Sequence, residues 1–333
     1  MEGTVAVTRE QLIAEFLAKA GWGGADRKVL AADASFRRYD RLHLSGCPAV
    51  LMDAPPPKED VRPFLRIARH LLALGYSAPD ILAEDAETGL LLLEDLGDTT
   101  FTRLLNAGEA ELPLYEMAID LLIDLHQQPT PNGVAPYDRE KLLTEASLLT
   151  DWYAPAIGIE LDHVARAAYL AAWSDVLPLA HAMPDALVLR DFHVDNLMRI
   201  DGRGGIAACG LLDFQDALVG PVTYDLVSLL EDARRDIDPA TRAAGRRRYL
   251  DAFPELSPEA FDASWACLAA QRHAKVIGIF TRLCRRDGKP QYLGHIPRVW
   301  RLLDEAVRHP GLAPVKSWLD RHIPADRRTV PAP

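Results

Sequence analysis

The hydrophobic pattern changes period near Gly97, and that change narrows the folds open to the chain. Before Gly97, short apolar runs are cut by Gly and Pro. Val29 to Leu44 reads as two strands around Asp33-Ala34-Ser35, and Ala49 to Asp53 as a third, stopped by Pro55-Pro56-Pro57. Ile81 to Glu84 and Gly89 to Glu94 read as a further strand pair. One helix precedes them and another interrupts them. Thr8 to Ala20 carries a capping Thr8 and an apolar face of Leu12, Ile13, Phe16 and Leu17, and Val61 to Leu74 ends at Gly75. From Thr100 onward the period is helical: Thr100–Leu105, Leu114–Gln128, Arg139–Trp152, Val164–Ala182, Pro221–Arg234, Ala240–Ala252, Pro258–Arg282 and Ile296–His309. Three short β runs break this stretch, at residues 186–189, 196–200 and 210–213. The order implies an α+β fold of two lobes. A small β-rich N-lobe is expected over residues 1–96, a hinge at 94–98 and a larger, mostly helical C-lobe over 97–323, with a Pro-rich tail over 324–333 expected to be disordered.

At 333 residues and 49% hydrophobic, the chain is long enough for two cores. Its net charge of −11 argues against nucleic acid or an anionic membrane as the main partner, but not against a nucleotide, which meets only a local field. Cys47, Cys209, Cys267 and Cys284 are scattered with no C-x-x-C pair, which suits free thiols in a reducing compartment. The first residues hold no basic and apolar leader pattern, and runs such as Leu90 to Leu93 are too short to span a bilayer. A cytoplasmic protein is expected, without a membrane partner and working as a monomer.

The β runs inside the helical stretch deliver chemistry. Leu189-Arg190-Asp191-Phe192-His193-Val194-Asp195-Asn196 sets a carboxylate and a carboxamide five residues apart, and Leu212-Asp213-Phe214-Gln215 places a second carboxylate 22 residues after the first. Phosphoryl transfer needs such parts: an Asp to receive a hydroxyl proton, and an Asn with an Asp to hold Mg²⁺ against nucleotide phosphates. Protein kinases carry them as H-R-D-x-x-x-x-N and D-F-G; this chain reads L-R-D-x-x-x-x-N and D-F-Q. Asp191 is the expected base, and Asn196 and Asp213 the expected Mg²⁺ ligands, hard oxygens that suit this cation. The plainer alternatives are a surface-loop Asp, a turn Asn and an Asp in a surface ion pair. Asp33-Ala34-Ser35-Phe36-Arg37-Arg38 lies between two strands, where a phosphate loop belongs but without its glycines. Ser35 and one Arg are expected at the phosphates; if the strand resumes at Phe36, alternation turns Arg37 and Tyr39 to one face and Arg38 to the other. A polar hairpin turn is the alternative.

With these motifs in place, further stretches carry a resemblance: Ala34 to Tyr39, Leu51-Met52-Asp53-Ala54-Pro55-Pro56, Leu93-Glu94-Asp95-Leu96-Gly97-Asp98, Leu212 to Ala217, and Gln271 to Phe280. The chain resembles the aminoglycoside phosphotransferase/choline kinase branch of the kinase-like fold from about residue 8 to residue 310, and within it the bacterial amino-sugar kinases that act at C1 of N-acetylmuramate and N-acetylglucosamine. The resemblance implies ATP and Mg²⁺, an amino-sugar acceptor, an α-1-phosphate product and a place in peptidoglycan recycling. Kinases of aminoglycosides, choline or homoserine share the catalytic loop and stand as the alternative. Strand Ala49 to Asp53 should carry a lysine for the α/β-phosphates and instead holds Met52, a departure shared with the amino-sugar group; it also admits an inactive nucleotide-binding module. Lys58, Arg37 or Arg38 is expected to compensate. Backbone groups at Glu94 and Leu96 are implied at the adenine edge. The acceptor is expected to meet Glu145 and Asp151, Gln215 after the metal Asp, and Arg272 with Lys275, which share a helix face and offer a cation to a lactyl carboxylate. His193 either steadies the Asp191 loop or approaches the acceptor; Arg190 is expected to pair with a carboxylate, and Asp225 to cap the loop.

Overall fold

The computed structural model describes residues 8–32 and 36–333. Internal contacts divide the chain into two units: Met1–Arg103 with Asp195–Asp216, and Leu104–Val194 with Ala217–Pro333.

In the first unit, helix α1 (Arg9–Lys19) starts at Thr8. The Gln11 N–H donates to the Thr8 hydroxyl and the Thr8 N–H donates back to the Gln11 side chain, so two orphan donors are satisfied together. Strands β1 (Asp26–Ala32), β2 (Arg38–Leu44), β3 (Cys47–Asp53), β4 (Ile81–Asp85) and β5 (Leu90–Glu94) form an antiparallel sheet in the order β1-β2-β3-β5-β4. Leu42, Ala49, Leu51, Leu90 and Leu92 pack against Ile13, Phe16 and Leu17 of α1. The alternate residues Val50, Met52 and Leu93 face the other way, into a cavity. Both faces of β3 and β5 are thus covered, which is why these strands read as unbroken apolar runs; each buried leucine contributes roughly 2 kcal/mol. Gly89 has φ +71°, and a Cβ there would sit 2.0 Å from the Ala54 carbonyl oxygen, so the β4–β5 turn admits only glycine. Helix α2 (Arg62–Ala73) buries Phe64, Leu65, Ile67, Ala68 and Leu71, and α3 (Phe101–Asn106) follows the hinge.

The short β runs are β6 (Asp185–Val188), β7 (Leu197–Arg199) and β8 (Cys209–Leu211). The pair β7–β8 joins the first unit, because Gly210 bridges to Ser77, Met198 bridges to Thr100, and Arg203 pairs with Glu94 at 2.5 Å. This differs from the expected division: residues 97–103 and 195–216 belong with the first unit, and long-range pairing, invisible to local periodicity, recruits them.

In the second unit, α4 (Glu111–Leu125) precedes α5 (Arg139–Ala146), which is shorter than expected. The Ser147 hydroxyl donates to the Thr144 carbonyl and the Thr150 hydroxyl to the Ser147 carbonyl, and a π turn over Leu149–Tyr153 leads into the short α6 (Ala154–Ala156). Helix α7 (His163–Val176) passes into a 3-10 turn because Pro178 lacks the N–H to continue. Strand β9 (Leu218–Pro221), absent from the sequence expectation, pairs with β6. It delays α8 (Thr223–Leu230), every residue of which is buried. After α9 (Pro239–Ala252) comes α10 (Pro258–Asp287), capped by Ser257 and ended by left-handed Gly288. Gly278 lets α10 pass the Leu148 backbone, which a Cβ would meet at 2.3 Å. Helices α11 (Ile296–Ala306) and α12 (Ala313–His322) close the unit. The tail expected to be disordered is instead held down. Arg328 pairs with Asp304 and lies 4.5 Å over the Trp300 ring, the Tyr153 hydroxyl donates to the Thr329 carbonyl at 2.8 Å, and Pro331 is buried. No helix among the described residues is long and apolar enough to cross a membrane.

Candidate active site

The first unit holds a cavity of about 360 Å³ walled by Leu30, Tyr39, Val50, Met52, Phe64 and Leu93, with Glu94 to Gly97 along one rim and Asn196, Leu212 and Asp213 along another. Apolar walls with few polar groups at the edge suit a flat heterocycle. The rim is fixed from outside: Arg41 pairs with Asp95 at 2.6 Å and Asp98 at 2.8 Å and donates to the Gly97 carbonyl, and Asp95 accepts from the Gly97 N–H. The Glu94 carboxylate is engaged by Arg203 and its N–H by the Asp80 carbonyl, so a ligand would meet its backbone carbonyl.

Asn196 and Asp213 converge. The Leu212 N–H donates to the Asn196 carbonyl at 3.0 Å, and the two side chains meet at 3.5 Å through Asn196 Nδ2 and Asp213 Oδ2. Turning the amide over exchanges N for O and sets two oxygens side by side. That pair fits Mg²⁺, which needs few protein ligands and keeps its waters. Asp213 has φ 56°, an uncommon conformation for a residue with a Cβ; stacking of Phe214 on Phe64, with centroids 5.0 Å apart, anchors the turn. Gln215, expected at the acceptor, donates instead to Asp213 Oδ1 at 2.8 Å. Thr102 donates to Asp195 and steadies the loop ahead of Asn196.

Met52 lines the cavity at 1% exposure, so the strand offers it no charge. The nearby cation is Arg37, 3.8 Å from Asp213 Oδ1 and 3.6 Å from Glu59 Oε2. Glu59 also accepts from the Phe36 N–H at 3.0 Å and so holds both backbone and side chain of this segment. Glu59 lies close to β3 in the chain, and the loop after Pro55-Pro56-Pro57 brings it back to Arg37. Arg38 turns to Asp40, and Lys58 lies over the Phe36 ring at 4.3 Å. Ser35, expected at the phosphates, lies outside the described residues.

The second unit presents Asp191 on a pinned loop. Arg190 has φ 70°. Asp225 accepts from the Leu189 N–H at 2.6 Å and the Arg190 N–H at 2.9 Å, while the Ser228 hydroxyl and Arg272 donate to the Arg190 carbonyl. Burial opposes ionisation of Asp191, but Arg272, Lys275, His193 and Arg190 outweigh it and hold its pKa below the usual carboxylate value. Burial pushes Asp225 up to about 7, against the pull of its two backbone donors. Burial, then the field of Arg234, takes His193 down to about 4, so its imidazole is neutral at pH 7.

Glu145 and Lys275, expected at the acceptor, lie in the interior. Glu145 pairs with Arg190, meets Lys275 at 3.1 Å and accepts from Tyr137; Lys275 and Arg272 both donate to the Tyr224 hydroxyl, at 3.3 and 3.1 Å. Arg272 is 6% exposed and faces the loop carbonyl rather than solvent. Asp151 is neutralised at the surface by Arg166 at 2.6 Å. Glu145, Arg190 and Lys275, unlike Asp151, neutralise one another in a low-dielectric interior. A cation and a carboxylate absent from the sequence expectation, Arg234 and Asp232, both act through their charges on His193.

Residues 26–261 match the phosphotransferase enzyme family. The chain belongs to that family. An N-acetylmuramate/N-acetylglucosamine kinase of Caulobacter vibrioides is 38% identical, covering 98% of this chain and 99% of its own length, and the enzyme of the same name from Pseudomonas aeruginosa is 40% identical over 91% of each. Among solved structures, a choline/ethanolamine kinase family protein from Mesorhizobium loti superposes with a TM-score of 0.63 at 13% identity, covering 92% of this chain and 99% of the other. The gentamicin complex of APH(2")-IIa gives 0.60 at 16% identity, covering 90% and 99%. At such identities these structures speak for the fold, which is the kinase-like fold of this phosphotransferase family.

Proposed function

We propose that this chain transfers the γ-phosphate of ATP to the anomeric hydroxyl of N-acetylmuramate and N-acetylglucosamine, yielding the 1-phosphate. The observation that carries the reading is 38% identity, over 98% of the chain, to a kinase bearing those substrates in its name. The adenine would lie between the apolar walls of the first unit, its edge on backbone groups of Glu94 and Leu96. Asn196 and Asp213 would hold Mg²⁺, which supplies charge neutralisation across the phosphate oxygens. Arg37, oriented by Glu59, would add the cation that Met52 does not provide. Asp191, kept ionised by its cationic neighbours, would orient the acceptor hydroxyl and receive its proton late, once bond formation to phosphorus has made that proton acidic. The pinned Arg190 peptide would set the direction of that carboxylate.

ATP turnover measured with N-acetylmuramate, N-acetylglucosamine, choline and kanamycin tests the reading, with phosphorus NMR identifying an anomeric phosphate. Turnover with both sugars and an anomeric signal is the expected result. Turnover confined to choline or kanamycin, or phosphate on another hydroxyl, would overturn it.

A further inference from the structure

We infer that Arg234, on the turn after α8, is the specificity residue that favours an acidic amino sugar by meeting the lactyl carboxylate of N-acetylmuramate. The inference rests on the amino-sugar kinase reading above and adds to it the residue that distinguishes the two sugars.

Helix α8 runs along the base loop. Asp225 on its first turn takes the Leu189 and Arg190 N–H groups, and Ser228, nearly one turn later, donates to the Arg190 carbonyl at 3.3 Å. Asp232 comes one further turn along, just past the helix end at Leu230. Its Oδ1 accepts from the Arg234 N–H at 2.8 Å, which folds the chain back in a tight turn. The Arg234 guanidinium lies 5.8 Å over the buried Phe280 ring and 3.9 Å from Asp232 Oδ1. It also acts on His193, two residues from the base.

Accessibility separates Arg234 from the other cations around the loop. Its side chain is 32% exposed, against 11% for Arg190 and 7% for Lys275, both of which Glu145 engages. Arg272, with its guanidinium on the Arg190 carbonyl and the Tyr224 hydroxyl, is buried. A carboxylate carried by a dissolved sugar therefore reaches Arg234 with the least desolvation, and the planar fork of the guanidinium suits it. Asp232 Oδ2 is buried and finds no donor among the described residues, so this turn also offers an acceptor for a sugar hydroxyl or acetamide N–H. Phe280 meets Tyr292 in a tilted ring contact at 5.4 Å, an apolar floor beside the charge.

The test compares Arg234→Gln and Arg234→Lys with the unaltered protein, measuring kcat and KM on N-acetylmuramate and N-acetylglucosamine at saturating Mg·ATP. The expected result for Arg234→Gln is a loss of kcat/KM on N-acetylmuramate at least tenfold greater than on N-acetylglucosamine, arising mainly in KM. Arg234→Lys should recover a good part of the difference. Equal losses on both sugars with an unchanged melting temperature would overturn the inference, as would failure of the lysine variant to recover any discrimination. If the unaltered protein turns over neither sugar, the amino-sugar reading itself falls; if it turns over both and the variants do not discriminate, only the role of Arg234 falls.

Discussion

Replacing Arg37 by Gln removes a cation that pairs with the proposed metal carboxylate. At the 3.8 Å separating Arg37 Nη1 from Asp213 Oδ1, unit charges interact by about 1 kcal/mol at the dielectric of water and about 4 kcal/mol at an effective dielectric of 20. The Asp213 side chain is 33% exposed and Arg37 12%, so the lower part of that range applies, about 1–2 kcal/mol. A phosphate oxygen at a similar distance would feel a similar attraction. Arg37→Gln should therefore weaken Mg·ATP binding by roughly 5- to 30-fold in titration calorimetry, with kcat/KM for ATP falling in parallel. Glu59→Gln keeps an acceptor for the Phe36 N–H but loses the charge 3.6 Å from Arg37, so a smaller loss of roughly two- to fivefold is expected. If Glu59 acts by orienting Arg37, the double variant should be no worse than Arg37→Gln alone. Unchanged Mg·ATP affinity in Arg37→Gln would refute the assignment and turn attention to Lys58. Fully additive losses would refute the orienting role of Glu59.

Asp191→Asn should lower kcat by a factor of about 10² or more with Mg·ATP affinity and melting temperature preserved; near-normal turnover would remove Asp191 from the base role. His126 and His193 are driven by burial to about 3 and about 4, below the unfolded value near 6.5. At these two histidines the unfolded chain binds more protons across that window, while at Asp225, raised to about 7, it binds fewer between about pH 4 and 7 and offsets part of the effect; stability should therefore rise modestly from pH 4 to pH 6.5, urea melts should show this slope, and His126→Gln should flatten it. Gly89→Ala should lower the melting temperature by several degrees, because a Cβ meets the Ala54 carbonyl at 2.0 Å and φ is +71°; a melt equal to that of the parent would show that the turn relaxes freely.

Much of the fold was legible in local pattern. The α1 cap at Thr8, the apolar run of β3, and the short apolar runs ahead of Asp191 and Asp213 all depend on neighbours a few residues away, and each forms within a few residues of its expected place. The Asp213–Asn196 pair was legible for the same reason: adjacent strands β7 and β8 bring the two loops together. Where side chains interrupt backbone bonding, local pattern misled. The π turn after α5 and the 3-10 turn after α7 come from Ser147, Thr150 and Pro178, whose effects helical periodicity does not register.

Charges were legible as types but not as partnerships. Arg272 and Lys275 read as a cationic helix face, yet their partners, the Arg190 carbonyl, Tyr224 and Glu145, come from three other segments. Arg37 and Glu59 stand 22 residues apart and meet only because β2 and β3 fold back on each other. Propensity, alternation and loop spacing, all short-range, mark most of the strands and helices and the residue types that could serve phosphoryl transfer, though not β9. Which carboxylates stay neutralised inside, which cation near the Asp191 loop keeps solvent exposure, and that residues 195–216 join the first unit are set by folding, because desolvation and Coulomb energies depend on distances that exist only after the chain folds.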